Sequence, residues 1–343
     1  MSLPPASPDI GLDIENAAQR LLNGDLVAFP TETVYGLGAD AENPAAIARI
    51  YAAKGRPANH PVIVHIAPGA DIGYWAAQVP PEAQALIQAF WPGPLTLILA
   101  RAAHIPPTVS GGQDSIGLRC PSHPVAQALL RKFARLKPGG QGGVAAPSAN
   151  KFGHVSPTQA AHVRSEFPEL CQEGMPVLEG GSSQVGIEST IIDLSRLDQG
   201  LRPVLLRPGH VTAAQIAEVL GMEPARPDTA APRVSGSLKA HYAPHTPLSV
   251  ATMPDLLGAV AQSSARAERV AAVVFDALPP NALQDVEWCI VASRPDAYAR
   301  NLYALLRRLD QQGYARIFLE QPPGTAEWQA VNDRIGRAAA AFL

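Results

Sequence analysis

The sequence predicts an α/β protein in two parts: a larger domain with a substantial sheet, then a small Rossmann-like, doubly wound α/β domain. Three observations carry that expectation. The chain has 343 residues, long for a single hydrophobic core. Short apolar runs alternate with helix-like stretches along most of its length. Between residues 222 and 247 the alternation gives way to MEPARPDTAAPRVSGSLKAHYAPHTP, a Pro-rich stretch with little periodicity that reads as a linker or ordered loop.

Taken in order, Asp13 to Asn23 sets Ile14, Ala17, Ala18, Leu21 and Leu22 on one helical stripe, with Gly24 as the stop. DLVAFP (25–30) reads as a short buried strand. Asn43 and Pro44 supply the N-cap and first turn of a helix that carries Ile47, Ile50 and Tyr51 and runs out at Lys54-Gly55. Strand PVIVHI (61–66) follows. Further strands are expected at 95–100, 115–119, 143–146, 190–194 and 203–207, with helices at 80–90, 122–134, 157–167 and 212–220. Spacing does not fix the strand order. After the Pro-rich stretch come strand LSVAT, helix 253–264, strands RVAAVVF and EWCIVAS, helix 295–312, strand ARIFLE and helix 325–341. This second domain has no GxGxxG, so its shape implies no dinucleotide.

Composition excludes several classes of function. Charged residues are 17% of the chain and hydrophobic ones 47%, and the net charge is −3, so nothing marks the whole molecule as a polyanion binder. Any phosphate site must be local. Cys120, Cys171 and Cys289 lie far apart without CxxC spacing, which argues against a disulfide framework or a zinc cluster and suits a reducing, cytoplasmic setting. The N-terminus, MSLPPASPDIGLD, lacks the basic and apolar regions of a signal peptide, and no run of about 18 apolar residues suggests a membrane span.

Chemistry concentrates in polar turns at strand ends. PTETVYGLG offers the hydroxyls of Thr31 and Thr33, the carboxylate of Glu32 and the phenol of Tyr35, and lies between a strand and a helix. KGRPANHP places Lys54 and Arg56 at a helix end, where they serve either as caps for its carbonyls or as a phosphate clamp. His65 stands in an apolar strand, as a core residue or a ligand contact, and Arg119 ends the strand of GLRCP. APSANKFGHVSPT, GIESTIIDL and LLRPGHVT add Ser148, Asn150, Ser189 and Arg207 at further strand ends, where simple Asx or Ser turns are the alternative. Together these turns suggest an anionic, multi-phosphate ligand. A Ser-His-Asp hydrolase is disfavoured by the absence of G-x-S-x-G.

In order and spacing, PTETVYGLG, KGRPANHPVIVHI, WPGPLTLIL, GLRCPSHP, APSANKFGHVSPT, GIESTIIDL and LLRPG resemble the YrdC-like domain of L-threonylcarbamoyladenylate synthases. The match runs from about residue 12 to 220, and SGSLKAHYAPHTP with the α/β tail resembles the long, two-domain form. The resemblance implies a YrdC-like twisted mixed-sheet domain with a large concave site at 10–221, a linker or lid at 222–247 and the small domain at 248–343. It also implies condensation of L-threonine, bicarbonate or CO2 and ATP into threonylcarbamoyl-AMP and pyrophosphate, for the modification of tRNA adenosine 37 by a separate transferase complex.

By the same resemblance, Thr33, His65, Arg119 and Ser189 match positions that contact threonine. Lys54, Arg56, His60, Ser115, Ser148, Asn150 and Arg207 match positions around ATP, with Lys54 and Arg56 as the catalytic cations and Tyr242 closing over the nucleotide. Mg2+ is implied through the ATP phosphates and not in a protein cage. His60 stands where many relatives carry Asn, and SLKAHY has Ala240 where many long forms have a basic residue. Two rival readings remain: a carbamoyl-adenylate-forming carbamoyltransferase domain, and a noncatalytic or weakly binding RNA module.

Overall fold

The structure, a computed structural model, describes residues 8–343, so the leader-free reading of residues 1–7 lies outside the described residues. The chain divides into two compact units. One comprises the residues up to Phe152 with Pro157–Gln184 and Glu188–Ser237; the other comprises Gly153–Ser156, Val185–Ile187 and Leu238–Leu343.

The first unit is built on an eight-stranded mixed sheet. Its strands are β1 (Val27–Phe29), β2 (Gly36–Asp40), β3 (Ile63–Ile66), β4 (Leu95–Ala100), β5 (Ser115–Arg119), β6 (Gly143–Ala145), β7 (Thr190–Asp193) and β8 (Val204–Arg207). They lie in the order β1-β2-β6-β3-β5-β4-β7-β8. β3 is parallel to β5 and β4 to β7, and the other neighbours are antiparallel. The helix expected after Asn43 forms over Pro44–Lys54, with the Asn43 side chain accepting from the N–H groups of Ala45 and Ala46 and Gly55 closing it in the left-handed conformation.

Strand β2 corrects the sequence reading. PTETVYGLG does not lead from a strand into a helix; its polar part is the turn of a β1–β2 hairpin in which Val27 pairs with Gly38 and Phe29 with Gly36. Two glycines in five residues weaken the local strand signal, and tertiary packing selects them. A Cβ on Gly38 would stand 2.8 Å from both Phe29 Cε1 and Val144 Cγ1, too close for any side chain. Gly38→Val is therefore expected to cost about 1–3 kcal/mol by overpacking. Thermal melts of the variant check this, and an unchanged Tm would refute the packing account.

Cross-strand partners share a face of the sheet. On one face Phe29, Val144 and Ala146 pack under the helices Pro8–Leu22 and Pro124–Leu136 through Ala17, Leu21, Leu129 and Phe133. His65 stands opposite Val144 on one side and Arg119 on the other, and Ile63 stands opposite Gly117, which in turn faces Ile98. The same face thus continues past the two helices onto β3, β5, β4 and β7. Val234 packs there against Ile98 and Ile191. It is carried by residues 222–237, which Ala225 anchors by accepting from Leu205 N and donating to Pro203 O. The first part of the Pro-rich stretch is therefore an ordered part of this unit.

The second unit holds β9 (Leu248–Ala251), β10 (Val270–Phe275), β11 (Glu287–Val291) and β12 (Arg316–Glu320), all parallel, in the order β11-β10-β12-β9. Val274 packs with Leu256 and Val260 of helix Met253–Ala265, while the adjacent Phe275 meets Tyr298 of helix Pro295–Asp310. Successive strand residues point to opposite faces, so helices cover both sides, as a doubly wound unit requires. Residues 276–286 join β10 to β11 without a helix.

Candidate substrate-binding site

The hairpin turn of the first unit is organised by a directed chain of hydrogen bonds. Thr31 donates to Val34 O at 2.6 Å, so in its 2.8 Å contact with Thr33 the Thr31 oxygen accepts and Thr33 donates. Thr33 in turn accepts from Arg119 Nη1 at 2.8 Å. Arg119, at the end of β5, also donates through Nε to Gly93 O at 3.3 Å and through Nη2 meets Glu32 Oε1 at 2.7 Å. The other oxygen of Glu32 accepts the Ser122 N–H at 3.1 Å. Both members of the pair are buried. Tyr35 takes no part: its hydroxyl donates to Gly181 O and accepts from Gly180 N, fastening a distant loop.

His65, beside Arg119 on β3, is buried edge-on to the Phe29 ring, and no partner of normal hydrogen-bond geometry reaches its Nδ1. Burial, then the Arg119 charge, pushes its pKa down to about 3. The folded protein keeps this ring neutral while the unfolded chain takes up a proton below about 6.5. The contribution of His65 to stability is thus complete above that pH and lost as pH falls toward 3, by roughly 1.4 kcal/mol per pH unit. Tm measured against pH should fall less steeply through this window in His65→Gln than in the wild type. Parallel curves would contradict the assignment.

A second polar cluster gathers the other cations. Arg56 Nη2 donates to Pro61 O at 2.7 Å and to Ser235 Oγ at 3.0 Å. Arg207, at the end of β8, donates through Nη1 to Ser235 O at 2.9 Å, through Nη2 to Ser189 Oγ at 3.1 Å and through Nε to Ser189 O at 3.0 Å. Ser189 Oγ also meets Thr96 Oγ1 at 2.8 Å. Ser235 thus sits between two guanidinium groups that are far apart in the sequence. Lys54 is fully buried and donates to Ser148 O at 2.6 Å and to Asn150 O. Burial first, then the Arg56 charge, holds its pKa well below the usual lysine value. An anion arriving beside Lys54 and Arg56 would relieve that repulsion.

The structure brings Thr33, His65 and Arg119 together, joins Ser189 to Arg207, and ties Lys54 to the backbone of the Ser148–Asn150 turn. Ser115 lines a groove with Gly117, Ile191 and Ser235. His60 packs edge-on to Phe152, and burial lowers its pKa ahead of a further lowering by Arg56. Tyr242 belongs to the second unit, where its ring is buried near Tyr303 and under the Arg334 guanidinium, at a φ of 63°. Sequence reasoning left Thr96 and Ser235 out and gave Glu32 no role. Glu32 was detectable as the lone acid of its turn; Ser235, in a stretch without periodicity, was not. Among the described residues no three or more His, Cys, Asp or Glu side chains gather as metal ligands.

Comparison with known proteins follows the same two-part division. Residues 19–209 match a family model of the Sua5, YciO and YrdC proteins, described as telomere recombination, and residues 211–340 match the threonylcarbamoyl-AMP synthase C-terminal domain. The threonylcarbamoyl-AMP synthase of Pyrococcus abyssi is 35% identical, over 95% of this chain and 93% of its own. The chain belongs to the threonylcarbamoyl-AMP synthase family. A second member, from Bacillus subtilis, is 36% identical over 95% of this chain and 92% of its own. The crystal structure of P. abyssi Sua5 complexed with L-threonine superposes with a TM-score of 0.83 at 33% identity, covering 97% of this chain and 95% of that one. Threonylcarbamoyl-AMP synthases of this two-domain form thus share both the mixed-sheet unit and the parallel-sheet unit with this chain.

Proposed function

We propose that this protein condenses L-threonine, CO2 or bicarbonate, and ATP into L-threonylcarbamoyl-AMP and pyrophosphate, supplying a separate transferase complex that modifies tRNA adenosine 37. The observation that carries the proposal is likeness over nearly the whole chain to synthases of that name, one of them solved with L-threonine. Thr33, His65, Arg119 and Ser189 form the amino-acid side of the site. Lys54, Arg56, His60, Ser115, Ser148, Asn150 and Arg207 form the nucleotide side.

In this mechanism threonine binds with its amine as ammonium, gives one proton to solvent, attacks the carbon of CO2 as the neutral amine and loses a second proton, giving a carbamate. A carbamate oxygen then attacks the α-phosphorus of ATP, the bond to the bridging oxygen breaks, and pyrophosphate leaves with that electron pair. Neutral His65 suits a hydrogen bond to the threonine hydroxyl and adds no charge. Arg56 and Arg207 exchange their Ser235 contacts for phosphate oxygens and neutralise the charge that develops on the leaving group. Mg2+, when bound with ATP, would be held through the phosphate oxygens and would screen their charge. Rate enhancement rests on orientation and charge neutralisation. We place this reaction in the cytoplasm, where tRNA modification draws on ATP; among the described residues no helix is long and apolar enough to cross a membrane.

The deciding experiment incubates the purified protein with ATP and Mg2+, with and without L-threonine and bicarbonate, and follows pyrophosphate and the adduct mass. Product that depends on both additions is expected. Product from carbamoyl phosphate alone would replace this proposal with a carbamoyl-adenylate former, and salt-sensitive RNA binding without turnover would replace it with an RNA-binding module.

A further inference from the structure

We infer that Glu32 is the specificity-determining residue that makes the amino-acid pocket select a zwitterion over a plain carboxylate. The inference deepens the proposed function and rests on Arg119 receiving the substrate carboxylate. A lone buried arginine would accept many anions, including bicarbonate, phosphate and hydroxy acids. Arg119 is not alone: Glu32 lies 2.7 Å away and both side chains are about 95% buried. The other titratable groups beside the pair add no charge near neutral pH. His65 is held neutral, and burial, then the Glu32 charge, pushes the Cys120 thiol up to about 12. The pocket therefore holds one positive and one negative charge and is neutral as a whole.

The hydrogen-bond inventory points the same way. A guanidinium carries five N–H donors and a carboxylate about four acceptor positions. Gly93 O and Thr33 Oγ1 take two of the Arg119 donors, and Nη2 meets Glu32 Oε1 as an ion pair without hydrogen-bond geometry, leaving one donor on Nη1 and two on Nη2. Ser122 N–H occupies one acceptor position on Glu32 Oε2, while Oε1 faces Arg119 Nη2 and accepts no hydrogen bond of normal geometry among the described residues. Spare donors thus stand beside spare acceptors. A ligand with a carboxylate next to an ammonium satisfies both. A ligand with only the carboxylate meets the Glu32 charge with nothing to offset it, and such like-charge contact is a strong device for rejecting the wrong partner.

The test uses calorimetry on the full chain with L-threonine, with (2S,3R)-2,3-dihydroxybutanoate, which replaces the ammonium by hydroxyl, and with L-threoninamide, which removes the carboxylate charge. The wild type should bind each analogue at least about tenfold more weakly than threonine. Glu32→Gln should weaken threonine by about tenfold while closing or inverting the gap to dihydroxybutanoate. A merely structural role for Glu32 would weaken all three in parallel, and that result would overturn the inference. So would a wild type that binds dihydroxybutanoate as tightly as threonine, a result that stands even if the variant does not fold. Failure of the wild type to bind threonine at all would count against the proposed function itself.

Discussion

Replacing Arg56 by alanine is expected to lower threonine- and bicarbonate-dependent pyrophosphate release by about a hundredfold or more while leaving the circular-dichroism spectrum unchanged. Arg56 is buried, and its Nη2 donates to Pro61 O and to the hydroxyl of Ser235. A small hydroxyl is a modest partner for a guanidinium, and a phosphate oxygen is a far stronger one. The loss should fall on kcat more than on the KM for threonine, because the charge Arg56 meets develops during adenylyl transfer. Normal turnover in a folded Arg56→Ala protein would remove Arg56 from the phosphate clamp.

The second large effect concerns stability. Arg119→Leu leaves the Glu32 carboxylate in the interior with the Ser122 N–H as its one remaining described partner, and breaking such a pair costs about 3–5 kcal/mol. The double variant Glu32→Gln, Arg119→Leu removes the stranded charge and should recover much of that loss. Urea denaturation of the wild type, both single variants and the double variant measures the coupling. A double variant no more stable than Arg119→Leu would mean that the cost came from lost packing and not from an unpaired carboxylate.

Most of the fold was legible because its elements carry strong local signals. The helix from Pro44 has its Asn cap, its proline and its closing glycine in sequence, and the alternation after Leu248 yields the expected strands and helices almost residue for residue. β2 was illegible because its identity as a strand lies in its neighbours: Gly36 and Gly38 are chosen by Phe29 across the hairpin and by Ala146 and Val144, which are remote in sequence. Strand order was illegible for the same reason, since β6 sits between β2 and β3 through pairings about eighty to a hundred residues apart.

Among the site residues, cations at strand ends could be suspected from position alone. Their grouping could not, because Arg56 and Arg207 meet through Ser235, a residue with no pattern around it. The resemblance implies one group around threonine and another around ATP; the hydrogen bonds link Arg56 with Arg207 through Ser235 and join Ser189 to Arg207 across the two groups.

One feature of the chain's course bears on how the protein can come apart. Gly153–Ser156 and Val185–Ile187 belong with the second unit although the residues on either side belong with the first, so the backbone passes between units five times. Within the second unit Ala243 donates to Gly153 O, and Gly186 lies so near Arg300 that a Cβ would come within 2.4 Å of its backbone. The second unit is therefore no bead at the end of a tether. Cutting at residue 238 would strip two internal runs of the partners they fold against and leave the C-terminal fragment without two pieces of its own unit. Native-state hydrogen exchange should show amides at 153–156 and 185–187 exchanging in step with those of Leu302 and Leu306, not with their immediate neighbours in sequence.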